Sequence, residues 1–390
     1  MQIGKLVQEG AITIKTGPFG TQLKAAEYQE TGIPVLNVKN LGYGTVNSAK
    51  LDHVGADTVE RLRIHLLQQG DIVFGRKGAV DRHAYIDNES DGWMQGSDCI
   101  RLRVETDDIN PRFLSYYFLT NQHKAFMISM CSHGTTMASL NQKILEQIDF
   151  PCLERNYQDK IVEILSKIDE KGRVNQKINE NLLQQAGAVF DKYYNTSSNQ
   201  QLFTSLINVL GGGTPKTGNP YFWDGSIPFF TPKDVGAPYT FQTEKYITES
   251  GLEHCNSRLY PKNTTFVTAR GTVGKVSLAG TPMAMNQSCY ALASETIDPL
   301  LVYFYALKAV ASLKHKASGA VFDAIVTRDF DTETINILTD EDARSALSVI
   351  APAMEAIHNN VEENMRLSKL RDTLLPNLMS GKLDVSELDL

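Results

Sequence analysis

No apolar run in this 390-residue chain approaches the roughly 18 residues a membrane span needs, and residues 1–10 lack a charged-then-apolar leader. Both absences point to a chain that stays in water where it is made, and the cytoplasm is the expected compartment. Cysteine is scarce. The five present (Cys99, Cys131, Cys152, Cys255, Cys289) are scattered and show no Cys-x-x-Cys spacing, which excludes a disulfide framework or a thiolate zinc site and leaves small buried hydrophobes as the expected role. The eight histidines form no His-x-x-x-His pair and have no consistent carboxylate partner, so no metal site is expected. The Gly-Lys-Ser/Thr end of a phosphate loop is missing too: Gly211-Gly212-Gly213-Thr214-Pro215-Lys216-Thr217 carries a proline where an N–H is needed.

Excess positive charge is also lacking. The formal net charge is -7, and Lys+Arg against Asp+Glu is 15 to 17 in residues 1–150, 7 to 7 in 151–200, 11 to 11 in 201–338 and 5 to 10 in 339–390. The acidity therefore collects at the helix-rich end, which suits protein contact. The two globular stretches are close to neutral, so any polyanion must be met by cations gathered on one face. Hydrophobic content of 42% with 21% charged residues is that of an ordinary soluble chain, and the length provides for two or three compact units.

What is present, above all, is an internal repeat of about 190 residues. Gly32-Ile33-Pro34 with Val38-Lys39-Asn40 returns as Ser226-Ile227-Pro228 with Pro232-Lys233-Asp234. Residues 70–80 return as 263–273, Met94 to Ser97 as Met285 to Ser288, and Asn110-Pro111 as Asp298-Pro299. The offset drifts from 194 through 193 and 191 to 188, as loop insertions and deletions produce while the order of elements is kept. Each half reads as short strands broken by Gly, Pro and Asn, then a helix, then one very long helix. Asn110 and Asp298 are N-cap residues with proline at the first helical position. The aromatics that follow (Phe113, Tyr116, Tyr117; Tyr303, Phe304, Tyr305) fall at helical spacing and are assigned to the core.

In the first long helix Ile161, Ile164, Ile168, Lys171, Asn175, Ile178, Leu182, Gln185 and Val189 alternate steps of three and four, a heptad seam. Met354, Ile357, Val361 and Asn364, then Leu367, Leu370 and Leu374, predict a second seam. Asn175 and Asn364 are expected register devices, and Pro352 is expected to kink or shorten the second helix. The predicted fold is α+β: two duplicated α/β domains, residues 1–150 and 201–338, separated by two long helices, 151–200 and 339–390, packed as an antiparallel coiled coil with pseudo-two-fold symmetry.

These features resemble the specificity subunits of type I restriction-modification systems over essentially the whole chain. The strings that carry the likeness are Gly17-Pro18-Phe19-Gly20-Thr21 and Asn37-Val38-Lys39-Asn40 in the first half, and Gly212-Gly213-Thr214-Pro215 and Thr231-Pro232-Lys233-Asp234 in the second. The C-terminal Leu370-Arg371-Asp372-Thr373-Leu374-Leu375-Pro376 with Ser380-Gly381 adds to it. The start of the second helix, Thr339 to Pro352, departs from the pattern because no proline leads into it. The resemblance implies two target recognition domains and a chain without a catalytic centre or cofactor of its own. It implies as partners double-stranded DNA, two modification subunits that methylate adenine N6 with S-adenosylmethionine, and a restriction subunit using ATP and Mg to translocate and cleave.

Base reading in the major groove needs forked donors for guanine and amides for adenine, while phosphates are met by Lys, Arg, Ser, Thr and backbone N–H. Loops rich in both types supply the candidates: Lys15, Thr16, Thr21, Lys39, Asn40, Arg76, Lys77 and Arg82 in the first half, and Thr214, Lys216, Thr217, Lys233, Arg270, Lys275, Asn286 and Gln287 in the second. Lys77 and Arg270 lead the set because each precedes a glycine at equivalent positions of the repeat. Gly134-Thr135-Thr136 and Gly319-Ala320 are weaker candidates in matching late loops. Two alternatives stand beside this reading. One is a self-sufficient DNA adenine methyltransferase built on Asn219-Pro220-Tyr221-Phe222, which approaches the Asn-Pro-Pro-Tyr/Phe motif but lacks its second proline. The other is a coiled-coil scaffold that never touches DNA.

Overall fold

A computed structural model describes residues 1–18, 20, 22–131, 138–236, 238–316 and 324–385. The chain divides into two compact units, residues 1–170 with 367–390, and residues 171–366. The expected spacer segments 151–200 and 339–390 are thus not bodies of their own: the division falls inside both long helices, Arg155–Thr196 and Asp340–Met379. The cause is packing, since each stretch of helix is part of the core of the unit to which it is assigned.

In the first unit a four-stranded antiparallel sheet runs in the order Ile12–Thr16, Cys99–Val104, Ile72–Gly75, His83–Tyr85. Alternation splits its faces. Ile12, Ile72, Phe74, Ile100 and Leu102 pack with Phe113, Leu114, Tyr116, Tyr117 and, from the long helices, Ile161, Leu165, Leu375 and Leu378. The opposite face carries Val73, Ala84 and Cys99, packed with Leu36, Leu41 and Leu67. A second sheet, in the order Tyr28–Gln29, Asp52–Val54, Ile33–Leu36, Met94–Gln95, has one parallel pair, Val35 with Met94 and Leu36 with Gln95.

The second unit repeats the wiring of the main sheet and differs at the sheet edges. Asn208–Gly211, Cys289–Ala293, Thr265–Thr268 and Val276–Ala279 take the same order, all antiparallel. Tyr239–Thr240 extends the edge in parallel, where the first unit has a lone parallel bridge from Tyr43 to His83. The smaller sheet orders Lys245–Ile247, Trp223–Phe230, Ala284–Met285, again with one parallel pair, Phe229 with Ala284 and Phe230 with Met285. That pairing corrects the sequence alignment by one residue: Gln95, not Met94, is the counterpart of Met285. Gly70 and Asn263 sit at matched positions with φ of 94° and 68°, where the first copy uses glycine and the second the non-glycine type that tolerates this region best.

The helix starts behave as their residues dictate. The Asn110 side chain accepts from the N–H of Arg112 and Phe113, and the Asp298 carboxylate from that of Leu300. The second long helix needs no leading proline because Thr339 caps it, its hydroxyl accepting from Asp342 N at 3.1 Å, with three acids in the first turn favoured by the helix dipole. This helix continues through Pro352, which does not shorten it. The seam of the first long helix also differs. Ile178 is 43% exposed and Lys171 and Gln185 face solvent, while Leu165, Asn175, Ala186 and Phe190 are buried. A straight helix drifts about 20° per heptad from a strict seven-residue repeat, so four heptads after the buried Ile161 the covered face has moved from the 189 position to 190, while Leu165 is drawn in by the core of the first unit. In the second helix Leu370 is likewise exposed. Within the second unit the two helices run antiparallel: Asn175 donates to Asn364 Oδ1 (2.9 Å) and Glu363 Oε2 (2.6 Å), and Asn360 donates to Asn179 (2.8 Å). Of the cysteines, Cys99, Cys131 and Cys289 are buried, but Cys152 is exposed; all five are free.

His83 and His123, two of the buried histidines of the first unit, share one aromatic pocket. His83 lies 2.9 Å from Ser115 Oγ, and His83 and His123 pack against Phe118 with ring centroids at 5.6 and 4.7 Å. Burial first, and neighbouring positive charge second, pushes both down to about 3. Their folded-state pKa is depressed, so above 6.5 both states hold them neutral and their contribution to stability is complete. As pH falls from 6.5 towards 3 the unfolded chain takes up protons that the folded unit refuses, and stability falls by about 1.4 kcal/mol per pH unit for each histidine. The second unit has Val276 at the position of His83. Hydrogen exchange at pH 5, corrected for intrinsic rates, should therefore rise in Ile72–Gly75 well before Thr265–Thr268. Equal acid sensitivity of the two strands, or no relief in the His83→Val, His123→Leu variant, would count against this account.

Candidate nucleic-acid interface

One end of each unit collects its loops. In the first, strand Ile12–Thr16 leaves the sheet where Cys99–Val104 enters it, and Gly75 pairs with Cys99, so the loops around 17, 76–82 and 96–98 share that end. Leu36 joins them through Gly96, whose N–H donates to Leu36 O at 3.0 Å. Glycine is required at this junction: a Cβ on Gly17 would meet Gly96 O at 2.0 Å. The second unit builds the same junction from Gly212, Asn286, Phe230 and the 269–275 turn. Chain returning after the helical segment seals each turn, with Leu140 N donating to Arg76 O (2.8 Å) and Ile325 N to Ala269 O (2.9 Å).

Most of the sequence-derived candidates fall on these two ends. Lys39, Lys77 and Arg82 are exposed in the first unit, as are Thr214, Lys216, Thr217, Lys233, Arg270, Lys275 and Gln287 in the second. Lys77 and Arg270 occupy the same turn, followed by Gly78 (φ 76°) and Gly271 (φ 78°). Among the described residues neither makes an ion pair, so each keeps its full charge for an anion. Lys39 and Lys233 differ, being held by Asp52 (2.8 Å) and Glu244 (3.6 Å). The bond from Lys39 holds the Asp52 carboxyl below its ordinary range. Thr214 and Gln287 are hydrogen-bonded to each other, and Asn286 is half-buried with its Oδ1 accepting from Ser288 N.

One candidate changes role, and three are less exposed than the loop pattern suggests. Asn40 is fully buried; its Oδ1 accepts from Asn37 N at 3.2 Å and its Nδ2 donates to Asn47 O at 3.0 Å, so it shapes the turn and leaves the set of DNA contacts. Asp234 does the same for Thr231 in the second unit. Thr16, half-buried, takes a bond from Gln142 at 3.1 Å, and Lys15 lies within the strand and not in the loop. Arg76 is half-buried at the base of the turn. Thr21, Gly134-Thr135-Thr136 and Gly319-Ala320 lie outside the described residues. Asn219 uses its Oδ1 to cap the short turn Pro220–Phe222, accepting from Tyr221 N at 3.1 Å, which is a structural use of the motif that suggested a methyltransferase.

The structure adds cations that no loop signal could reveal, because they sit on helices. Lys124 lies 4.8 Å from the Tyr43 ring centroid and Arg82 5.5 Å, while the exposed Tyr43 donates its hydroxyl to Asp81 at 2.9 Å. In the second unit Lys314 donates to Gly274 O at 2.6 Å, against the Arg270 turn. Each unit thus places a helix lysine beside its cationic turn. Such an end offers exposed cations and hydrogen-bond donors of the kinds that meet phosphates and base edges. Among the described residues no cluster of His, Cys, Asp and Glu could hold a metal ion, and no helix is long and apolar enough to cross a membrane.

Comparison with known proteins agrees with the duplication. The family model for the type I restriction modification DNA specificity domain matches twice, over residues 11–184 and 195–346. The chain is 28% identical over 175 residues to the type I restriction enzyme MjaIX specificity subunit of Methanocaldococcus jannaschii, a match that covers 43% of this chain and 40% of that protein. It is 20% identical over 446 aligned residues to the type I restriction enzyme HindI specificity subunit of Haemophilus influenzae, covering 89% of this chain and 94% of that one. The crystal structure of a type I restriction-modification S subunit from M. genitalium aligns with a TM-score of 0.58 at 14% identity, covering 99% of this chain and 96% of that one; the fold is shared.

Proposed function

Because the chain belongs to the type I restriction modification DNA specificity family, we propose that each of its two units reads one half of a bipartite DNA sequence. The supporting observation is the loop end built twice on one wiring with different side chains at matched positions: Lys77 against Arg270, Arg76 against Ala269, Thr16 against Gly211. One scaffold carrying two unlike sets of donors suits two unlike half-sites. On this reading chemistry comes from partners. Two modification subunits methylate adenine N6 with S-adenosylmethionine, and a restriction subunit, with ATP and Mg, cleaves. The Asn175–Asn364 contact fixes the register of the helix pair in the second unit.

Replacing residues 1–150 with the corresponding segment of another such subunit should change one half of the methylated sequence and leave the other as it was, read by mapping methylated adenines genome-wide. A change in both halves would contradict the assignment. Methyl transfer by the purified chain alone would restore the methyltransferase alternative, and binding to duplex DNA that is absent at every salt concentration would favour the scaffold.

A further inference from the structure

A second cationic cluster lies in the first unit beneath the interface loops, where the second unit has apolar residues at the matched strand positions and an exposed arginine, Arg258, at the position of His65. Lys15 pairs across the sheet with Arg101, and alternation sends both, with Thr13 and Arg103, to the face opposite the helical core. Arg101 is 6% exposed; its Nη1 donates to Ile64 O (3.4 Å) and Leu66 O (3.2 Å), but its Nε–H meets no acceptor. His65, 4% exposed, has an unpartnered Nδ1. Burial first, then the charge of Lys15 and, less, that of Arg101, hold His65 below its ordinary value against an opposing interaction with the Gln95 side chain. Gln95 is fully buried, ties the Lys15 and Cys99 carbonyls together through Nε2 at 2.9 and 3.1 Å, and leaves Oε1 unpartnered. The nearby carboxylates are already engaged. Asp71 gives both oxygens to Arg103 at 2.6 and 2.7 Å, and Glu105 accepts from Thr13 at 3.0 Å. Among the described residues neither Lys15 nor Arg101 has an ion pair.

The duplicated unit shows what this place looks like without such groups. The strand pairings set Lys15 against Leu210, Arg101 against Ala291, Arg103 against Ala293 and Gln95 against Met285. Met285 and Ala291 there belong to an apolar cluster with Phe230, Tyr260 and Phe266, and Leu210 packs against it. The fold is therefore satisfied by a largely apolar cluster at these strand positions. Burying Arg101, which has no ion pair of its own, and unpaired donors there is costly, and an anionic ligand lowers that cost.

We propose that Lys15, His65 and Arg101 of the first unit form a binding site for one phosphate-class oxyanion, with Gln95 orienting Lys15 and its strand. Lys15 is half-exposed and stands two residues before Gly17, so the occupant is either a DNA backbone phosphate, which rests on the DNA-reading proposal, or free inorganic phosphate, which does not. The test uses the full chain and Lys15→Leu, which copies the second unit at a position that folds there with leucine. Inorganic phosphate, against chloride at equal ionic strength, should raise the melting temperature of the wild type by about 3 °C, and Lys15→Leu should abolish the rise. Gln95→Met, Arg101→Ala should do likewise, its fold checked by hydrogen exchange in the second unit. In duplex titrations Lys15→Leu should lower the salt slope by about 0.9 if the occupant is a backbone phosphate, and leave it unchanged if it is free phosphate. No phosphate-specific stabilisation of the wild type together with an unchanged salt slope in Lys15→Leu would overturn the site. Wild type that binds no duplex yet is stabilised by phosphate would overturn the DNA reading and keep the site.

Discussion

Lys77→Ala and Arg270→Ala are each expected to weaken duplex binding about tenfold at moderate salt, and the double variant about a hundredfold. Both cations stand on the same glycine-bounded turn of the two units, are exposed, and make no ion pair among the described residues. A cation in that state meets a phosphate at full charge, and removing one phosphate contact lowers the slope of log K against log salt by about 0.9. The two losses should add, because each belongs to its own unit. The checking measurement is fluorescence anisotropy with a cognate duplex over a salt series, repeated with a scrambled duplex. If the residues contact phosphates, affinity falls alike for both duplexes. A fall confined to the cognate duplex would mean that the guanidinium or ammonium reads a base edge. An unchanged slope in both variants would remove the turn from the interface. Lys39→Ala and Lys233→Ala serve as graded controls: their charges are already answered by Asp52 and Glu244, so their effects should be smaller.

The largest structural effect is expected from Phe190→Ala, which should destabilise the second unit by about 3–5 kcal/mol. Phe190 is fully buried on the first long helix and packs at 5.3 Å on Phe304, 5.1 Å on Tyr305 and 5.4 Å on Tyr194 (ring centroids). Phe304 and Tyr305 belong to the helix Pro299–Lys316 and Tyr194 to the helix that carries Phe190, so truncation leaves a cavity they cannot close. In the first unit the same long helix is held differently, by Ile161 and Leu165 and by Asp169, which accepts from Tyr116 at 2.8 Å and pairs with Arg371 at 3.2 Å. Hydrogen exchange should accordingly report opening of Thr265–Thr268 and Cys289–Ala293 while Ile72–Gly75 keeps its protection. A loss under 1 kcal/mol, or equal opening of both units, would show that this aromatic cluster does not anchor the helix.

Much of this was legible in the chain itself. The duplication could be read because glycine, proline and cap residues recur at strand ends and helix starts, where backbone geometry admits few residue types: Asn110-Pro111 and Asp298-Pro299 start helices as their chemistry demands, and the Lys77-Gly78 and Arg270-Gly271 turns coincide. Residues whose role depends on local backbone requirements announce themselves. The assignment of the aromatics of residues 113–117 and 303–305 to the core held for a related reason, since helical spacing at the apolar face leaves them nowhere else to go.

Other roles were not legible, because polar side chains say what they can bond and not with whom. Asn40 looked like an adenine reader and is instead consumed by its own turn, while Lys124 and Lys314, on helices without any loop signal, stand beside the cationic turns. The seam of the first long helix drifted from the strict heptad because the helix is covered by globular cores as well as by its partner, and those cores choose Leu165 and Phe190. Composition and periodicity alone thus determined that there are two copies of one fold, their order along the chain and the residues that start and turn them. Tertiary structure decided which loops share an end, which cations keep an unanswered charge, and that equivalent positions hold an apolar cluster in one copy and cationic side chains in the other. These depend on contacts between residues distant in sequence, and a linear pattern carries no record of which distant group will satisfy or abandon a given hydrogen bond or charge.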